Sequence, residues 1–104
     1  MSIGVFAKLT AAPGKREELI EVLGTHFPNV EGEEGTLIYA MHADNDDADV
    51  IWFYELYTDQ DGFAAHSGSP GMKELGGKLA GLVGGRPELH MVTPVKTKGL
   101  PLPT

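Results

Sequence analysis

Apolar residues along the chain follow two different spacings, one typical of strands and one typical of helices. In four segments they occupy alternate positions or short unbroken runs rich in β-branched and aromatic residues, which predicts strands. These four segments are residues 3–9, 36–43, 50–57 and 88–95. In two further segments they recur every three or four residues, which predicts amphipathic helices over 15–27 and from Pro70 to Val83. The chain is therefore expected to combine strands and helices.

Residues that break or cap helices set the predicted boundaries. Pro28 is expected to end the first helix, because proline lacks an amide hydrogen and clashes with the preceding turn. Thr58, followed three residues later by Asp61, resembles a capping box and predicts a short helix that carries residues 63–66. The predicted order along the chain is strand, helix, strand, strand, two helices and strand.

This order of elements is the split β-α-β arrangement, so we predict an α+β, ferredoxin-like fold with a four-stranded antiparallel sheet and helices on one face. A chain of 104 residues supports one domain. The strand at 50–57 is apolar on both faces apart from Glu55, which indicates a central strand. The face without helices is expected to be buried against a second copy in a homodimer. The proline-containing segment 96–104 is expected to form an extended arm.

Composition and charge restrict the possible functions. The formal net charge is -7 with only eight lysines and arginines, so nucleic acids and anionic membrane surfaces are repelled. No apolar run is long enough to span a membrane. The chain has no cysteine, which excludes disulfides and thiolate chemistry, and its first residues do not resemble a secretory signal. We therefore expect a cytoplasmic protein without nucleic-acid or membrane partners.

One stretch of the sequence resembles a known family. It runs from Trp52 through Glu55 and Tyr57 to His66, and it is similar to the antibiotic biosynthesis monooxygenases of the dimeric α/β-barrel superfamily. Supporting marks are Ala12-Pro13-Gly14-Lys15, Glu34-Gly35 and Ser69-Pro70-Gly71-Met72-Lys73. The quinol monooxygenase branch has the most similar pattern. The resemblance implies a dimeric enzyme that oxidises quinols or aromatic polyketide-like phenols with molecular oxygen and needs neither metal nor flavin.

At two sets of positions this chain differs from members of the superfamily, and these differences limit which functions the resemblance implies. Haem-degrading members of the superfamily carry an asparagine, a tryptophan and a histidine at positions that correspond to Ala7, His66 and Gly76 here. This chain therefore lacks the residues that bind haem iron and distort the porphyrin. Quinol-type members carry a histidine where this chain has Gly71. The resemblance thus implies neither haem degradation nor a second imidazole at position 71.

Two residues of the matching stretch are the candidates for catalysis. Oxygenation without a cofactor requires a base, because a phenol transfers an electron to oxygen far more readily once it has lost its proton. A histidine can move protons near neutral pH, so His66 is the candidate base, and Glu55 is the candidate partner that orients it or raises its basicity. A packing role for His66 and a structural hydrogen bond to Glu55 are the alternatives.

Aromatic and apolar side chains near this pair form a candidate substrate site. Alternation along the strand places Glu55 and Tyr57 on one face and Trp52 and Tyr54 on the other. The resemblance implies that the Glu55 face meets the helices. Tyrosine hydroxyls in such a site can donate to a developing oxyanion. The expected substrate-binding residues are Tyr57, Phe53, Phe63, Phe6 and Met72. The expected ligand is a small aromatic or quinone-like molecule.

Two other functions use the same site. Isomerisation or tautomerisation of a small carbonyl compound needs the same base and oxyanion donors but no oxygen. A non-catalytic stress protein that binds a small ligand needs only the pocket.

Metal sites are not indicated by the sequence. The aspartate-rich segment 44–49 does not follow the spacing of a calcium-binding loop. His26, His42 and His90 lie on different predicted elements without the local spacing of a zinc site. No metal and no cofactor are therefore expected.

Overall fold

The computed structural model describes residues 1–100, which form four strands and four helices. They are β1 (Ile3–Thr10), α1 (Arg16–Gly24), α2 (Phe27–Glu31), β2 (Thr36–Ala43), β3 (Val50–Tyr57), α3 (Gln60–Ser67), α4 (Pro70–Lys78) and β4 (Glu88–Val92). β4 ends at Val92 rather than at Val95 as predicted. Of the predicted arm, residues 101–104 lie outside the described range, and residues 96–100 form neither helix nor strand. Within residues 1–100, every helix is too short or too polar to cross a membrane.

The four strands form one antiparallel sheet in the order β2-β3-β1-β4. β3 lies between β1 and β2, with Glu55 opposite Val5 on one side and Tyr39 on the other. A strand in this position has hydrogen-bonded neighbours at both edges, which is consistent with its nearly continuous apolar sequence. The predicted ferredoxin-like fold and the central position of β3 are both confirmed.

The helices cover one face of the sheet, and alternating side chains of β3 show which face it is. Ile51 and Tyr57 are fully buried and belong to the same hydrophobic core as Leu19 of α1. Trp52, which points to the other face, is 37% exposed. The face that carries Glu55 is therefore the helix-side face, as expected.

The predicted first helix is wrong at its C-terminal end. α1 ends at Gly24, and the amides of Thr25 and His26 then donate to carbonyls three residues back, which turns the chain. Pro28 does not end a helix. It lies in the first turn of α2, where amide hydrogens have no partner within the helix, so proline costs no hydrogen bond there. This break places His26 at the junction of α1 and α2, where it is buried.

The predicted capping box at the start of α3 is also wrong. The side chain of Asp59, rather than that of Thr58, accepts a hydrogen bond from the amide of Gly62 at 2.9 Å. Gly62 lies against Gly35, the residue before β2. A Cβ atom on Gly62 would come within 2.9 Å of the carbonyl oxygen of Gly35. α3 can therefore approach the start of β2 only because both positions lack a side chain.

α4 is shorter than predicted. It ends at Lys78, so Leu82 and Val83 lie beyond it. Gly81 adopts a φ of 80°, in the left-handed region that favours glycine, and turns the chain back toward the sheet. Val83 then forms an isolated bridge with Ala11, just after β1. The apolar residues of this segment are packed by a turn rather than by a helix.

Candidate active site

A cavity between the sheet and the helices is the candidate active site. Its volume is about 200 Å³ and its walls are mostly apolar. All four strands contribute to it from the sheet, and α1, α4 and the residues just after α4 and just before β4 form its sides. The lining residues are Ala7, Leu9, Leu23, Tyr39, Phe53, Glu55, Met72, Leu75, Leu79, Pro87 and Leu89. Among these residues Glu55 and Tyr39 have polar side chains, so acid–base chemistry in the cavity involves them.

Glu55 supplies the carboxyl group of this cavity. It is 8% exposed and accepts a hydrogen bond from the hydroxyl of Tyr57, with 2.5 Å between the oxygens. Burial disfavours the ionised carboxylate and raises its pKa above the ordinary value, whereas the Tyr57 hydrogen bond and the nearby His66 act in the opposite direction. A carboxylate with a raised pKa accepts a proton more readily than an exposed one does.

Two tyrosine hydroxyls lie near this carboxylate and remain protonated. Burial is the largest cause that raises the pKa of Tyr57, and the charge of Glu55 is the next. The same two causes raise the pKa of Tyr39, which pairs with Glu55 across β2 and β3. Both hydroxyls are therefore hydrogen-bond donors at neutral pH, either to the carboxylate or to an oxygen that gains negative charge.

His66 packs against these tyrosines but does not line the cavity. It lies on α3, is 2% exposed, and has its ring centroid 5.4 Å from that of Tyr57 and 5.1 Å from that of Tyr39. Its Nδ1 lies 2.7 Å from Oε1 of Glu33. The predicted pairing of His66 with Glu55 is therefore wrong, because Glu55 binds Tyr57 and His66 binds Glu33.

Glu33 is a site residue that the sequence analysis missed. It lies in the connection between α2 and β2, and its Oε1 also accepts a hydrogen bond from the hydroxyl of Thr36 at 2.8 Å. The contact between Gly35 and Gly62 holds this connection against α3, which carries His66. The acidic residues before Gly35 are the signal in the sequence, but they do not show which carboxylate turns inward.

A second buried histidine lies beside His66. His26 is 2% exposed, and its ring centroid is 5.8 Å from that of His66. Burial, followed by the charge of His66, lowers the pKa of His26, so its imidazole is neutral at neutral pH. His26, His66 and Glu33 each offer one ligand atom within 4.8 Å of the others, so these residues can hold a metal ion. The sequence analysis considered His26 only with His42 and His90 and so missed this grouping.

Three of the other predicted substrate-binding residues lie at or next to the cavity. Phe53 and Met72 line it. Phe63 packs edge-on against Tyr57, with ring centroids 5.4 Å apart, and supports the cavity from α3 without lining it. Tyr57 does not line the cavity, but it donates a hydrogen bond to Glu55, which does.

Phe6 is the exception among the predicted substrate-binding residues. It is 46% exposed on the face without helices, where its ring lies 5.2 Å from that of Tyr54. Its neighbours Val5 and Ala7 point to the helices, and side chains alternate along β1. The expectation that Phe6 shares this cavity is therefore wrong.

A comparison with protein families gives a match over most of the chain. A family model described as antibiotic biosynthesis monooxygenase matches residues 2–76. The match includes Glu33, Glu55 and His66. A comparison with curated proteins gives no match.

Solved structures share the fold. A protein from Caulobacter crescentus described as a "putative antibiotic biosynthesis monooxygenase" has 27% identical residues and a TM-score of 0.86 over 91% of both chains. A protein from Chloroflexus aurantiacus with the same description has 26% identical residues and a TM-score of 0.81 over 96% of this chain and 99% of that one. Rv0793 from Mycobacterium tuberculosis has 18% identical residues and a TM-score of 0.84 over 93% and 98% of the two chains, which shows a likeness in fold alone.

Proposed function

Because the chain belongs to the antibiotic biosynthesis monooxygenase family, we propose that it oxidises a small quinol or phenol with molecular oxygen in the cavity lined by Glu55 and Tyr39. One observation carries this proposal. A carboxyl group with a raised pKa is held in an apolar cavity, next to tyrosine hydroxyls. A phenol must lose its proton before it reacts readily with oxygen, and Glu55 is the group that is placed to take it.

The proposed reaction needs no separate reductant. Glu55 takes the proton of a phenolic hydroxyl, and the resulting phenolate passes electrons to oxygen while the hydroxyl of Tyr39 donates to the substrate oxygen. With a quinol, one oxygen atom enters the ring and the other leaves as water, so the product is a hydroxyquinone and the quinol supplies all the electrons. This proposal moves the role of base from His66 to Glu55. His66 is then a positioning residue that packs against Tyr57 and Tyr39.

The size of the cavity favours a small substrate. At about 200 Å³ it is below the roughly 300 to 1,000 Å³ that is usual for drug-sized ligands. A single aromatic ring with two hydroxyl groups fits this space better than a polycyclic phenol. We therefore propose a one-ring quinol as the substrate class.

Oxygen uptake by the purified protein tests this function. Glu55→Gln keeps the length of the side chain and an oxygen for Tyr57 but removes the base, so kcat should fall by about 10² to 10⁴ with little change in KM. Glu18→Gln, at an exposed position of α1, is the matched control and should keep full activity. Full turnover by the Glu55→Gln variant would contradict the role of Glu55. No uptake of oxygen with any quinol of a panel would contradict the reaction.

Isomerisation of a small carbonyl compound is the second candidate. The hydrogen bond from Tyr57 to Glu55 supports it, because a carboxylate base beside hydroxyl donors can move a proton next to a carbonyl without oxygen. Anaerobic assays separate the two functions, since only the isomerase would turn over. A protein that binds these compounds but converts none of them, with or without oxygen, would be a ligand-binding protein instead.

We also propose that the face of the sheet without helices is the interface of a homodimer. Phe6 and Trp52 are 46% and 37% exposed on this face, and the ring of Tyr54 packs beside Phe6. A second copy packed sheet to sheet would remove these aromatic rings from water. The two cavities would then lie on the outer sides of the dimer, each with its own Glu55.

A further inference from the structure

His26, His66 and Glu33 form a buried cluster outside the cavity. One ligand atom of each lies within 4.8 Å of the other two. The three residues come from separate parts of the chain, namely the junction of α1 and α2, α3, and the connection between α2 and β2. We propose that this cluster binds a divalent transition-metal ion of the iron-to-zinc series.

Both imidazoles have a buried nitrogen without a hydrogen-bond partner in the described part of the chain. These atoms are Nε2 of His26 and Nε2 of His66, and both side chains are 2% exposed. Nδ1 of His66 lies against the carboxylate of Glu33, so the neutral form of this imidazole has its proton on Nδ1 and its lone pair on Nε2. Nδ1 of His26 is 3.4 Å from the side-chain amide of Asn29. As placed, the nitrogen of that amide faces Nδ1; turning the amide by 180° presents its oxygen to Nδ1–H and leaves a free lone pair on Nε2 of His26.

The distance between the two rings suits a shared ion. With metal–nitrogen bonds of about 2.0 Å, two imidazoles on one ion place their ring centroids roughly 5 to 6 Å apart. The centroids of His26 and His66 are 5.8 Å apart. The histidine pair therefore needs little rearrangement to accept an ion.

Glu33 orients one of the two imidazoles. Its carboxylate holds Nδ1 of His66, so Nε2 of that ring faces away from Glu33 and is free for the ion. A carboxylate bound to one nitrogen of a metal-binding histidine fixes the ring and raises its basicity as a ligand. Because the two ring nitrogens point to different sides, the same carboxylate does not reach an ion at Nε2, and water would complete the coordination.

The donor set selects the kind of ion. Imidazole nitrogens suit zinc, iron and the metals between them in the series. Magnesium and calcium prefer several oxygen ligands, and this cluster offers two nitrogens. The ion should therefore be zinc, cobalt or iron(II) rather than magnesium or calcium.

A second cavity, of about 180 Å³, opens beside His26 and provides access to the cluster. Its walls include Asn29 and Gly71, and they are mainly polar. A Cβ atom at position 71 would lie 2.8 Å from the side-chain nitrogen of Asn29 and 3.3 Å from Cε1 of His26. The glycine therefore keeps open the space through which an ion and its water ligands would reach the imidazoles.

Titration of the EDTA-treated full chain with Zn²⁺, Co²⁺ and Mg²⁺ tests this proposal. We expect calorimetry to show one Zn²⁺ per chain and no binding of Mg²⁺, and we expect Co²⁺ to give the visible absorption of an ion with nitrogen ligands. His26→Ala and Glu33→Gln should each weaken Zn²⁺ binding about tenfold or more. His42→Ala and His90→Ala, which change exposed histidines, are the controls and should bind as the unchanged protein does.

Two results would overturn the proposal. One is that neither Zn²⁺ nor Co²⁺ binds to the folded protein at one ion per chain. The other is binding that survives His26→Ala and Glu33→Gln but is lost with His42→Ala or His90→Ala. If circular dichroism shows that His26→Ala does not fold, the Co²⁺ spectrum of the Glu33→Gln variant decides. Because the measurement is metal binding itself, its outcome does not depend on whether the protein oxidises quinols.

Discussion

The buried carboxyl group of Glu55 makes the stability of the protein depend on pH. Burial is the main cause that raises its pKa above the ordinary 4.5, so the folded chain binds this proton more tightly than the unfolded chain does. The resulting contribution to the free energy of unfolding is fully present below about pH 4.5 and is lost as the pH rises through the raised pKa. Ionisation of Glu55 at higher pH therefore lowers the stability of the folded protein.

Glu55→Gln should remove this dependence. Glutamine cannot ionise and keeps an oxygen for the Tyr57 hydroxyl. The variant should therefore have the same free energy of unfolding as the unchanged protein at pH 4. Above the raised pKa of Glu55 the variant should have the higher free energy of unfolding, so the comparison is made at pH 8. Urea unfolding at the two pH values measures the difference, and Glu21→Gln, at an exposed position beyond the first turn of α1, should show none. A variant that is less stable than the unchanged protein at pH 8 would show that the ionised carboxylate stabilises the fold.

The sequence identifies the buried ionisable residues but only some of their partners. Glu55 stands out as a charge in an apolar strand, and His66 stands out because it ends the stretch that resembles the family. Both are buried. Tyr57 can be predicted as the partner of Glu55, because alternate residues share one face of a strand. Glu33 cannot be predicted as the partner of His66, because it comes close only when Gly35 contacts α3 in the folded sheet.

At the scale of single elements, two helical glycines differ in what surrounds them. Gly62, in the first turn of α3, lies against the backbone of Gly35. Gly76, in α4, has nothing within 4 Å of the position that a Cβ atom would take. Alanine has the higher helix propensity at both positions. The neighbouring atoms therefore decide whether a substitution stabilises the protein.

Alanine substitutions at these two positions should have opposite effects. Gly76→Ala should raise the free energy of unfolding by about 0.5 to 1 kcal/mol, because it gains propensity and meets no neighbour. Gly62→Ala should lower it by about 1 to 3 kcal/mol, because the opposing backbone of Gly35 cannot move as a side chain would. Urea unfolding of both variants provides the comparison. If Gly62→Ala is as stable as the unchanged protein, α3 can move away from β2 at little cost.

Strand bounds could be predicted more closely than helix ends. β2 and β3 have the predicted bounds. The apolar spacing predicted a helix as far as Val83, but α4 ends at Lys78. Leu82 and Val83 still pack against the core, because the turn after α4 returns to the sheet. The spacing of apolar residues shows which side chains are buried. It overestimates the length of a helix when the turn after the helix buries further apolar side chains.

At the scale of the whole molecule, Phe6 provides a test of the proposed homodimer. Phe6→Lys adds a charge to the centre of the face without helices, so the mass measured by light scattering should fall from twice 11.1 kDa to 11.1 kDa. Met91→Lys is the matched control. Met91 is 48% exposed, but it pairs with Val5 and so lies on the helix side of β4. A dimeric Phe6→Lys variant would exclude this face as the interface, and a monomeric unchanged protein would exclude the homodimer.

The cavity has one wall built from a weak helix, and this affects how fast a ligand can reach it. α4 lines the cavity through Met72 and Leu75, yet its nine residues include adjacent glycines at 76 and 77. Its local opening therefore requires less free energy than unfolding of the central strand, and its amide hydrogens exchange sooner. A small ligand in the cavity would therefore meet one wall that gives way more readily than the sheet does. Strengthening α4 should slow the exchange of its amide hydrogens and, with it, the exchange of a ligand on this side of the cavity.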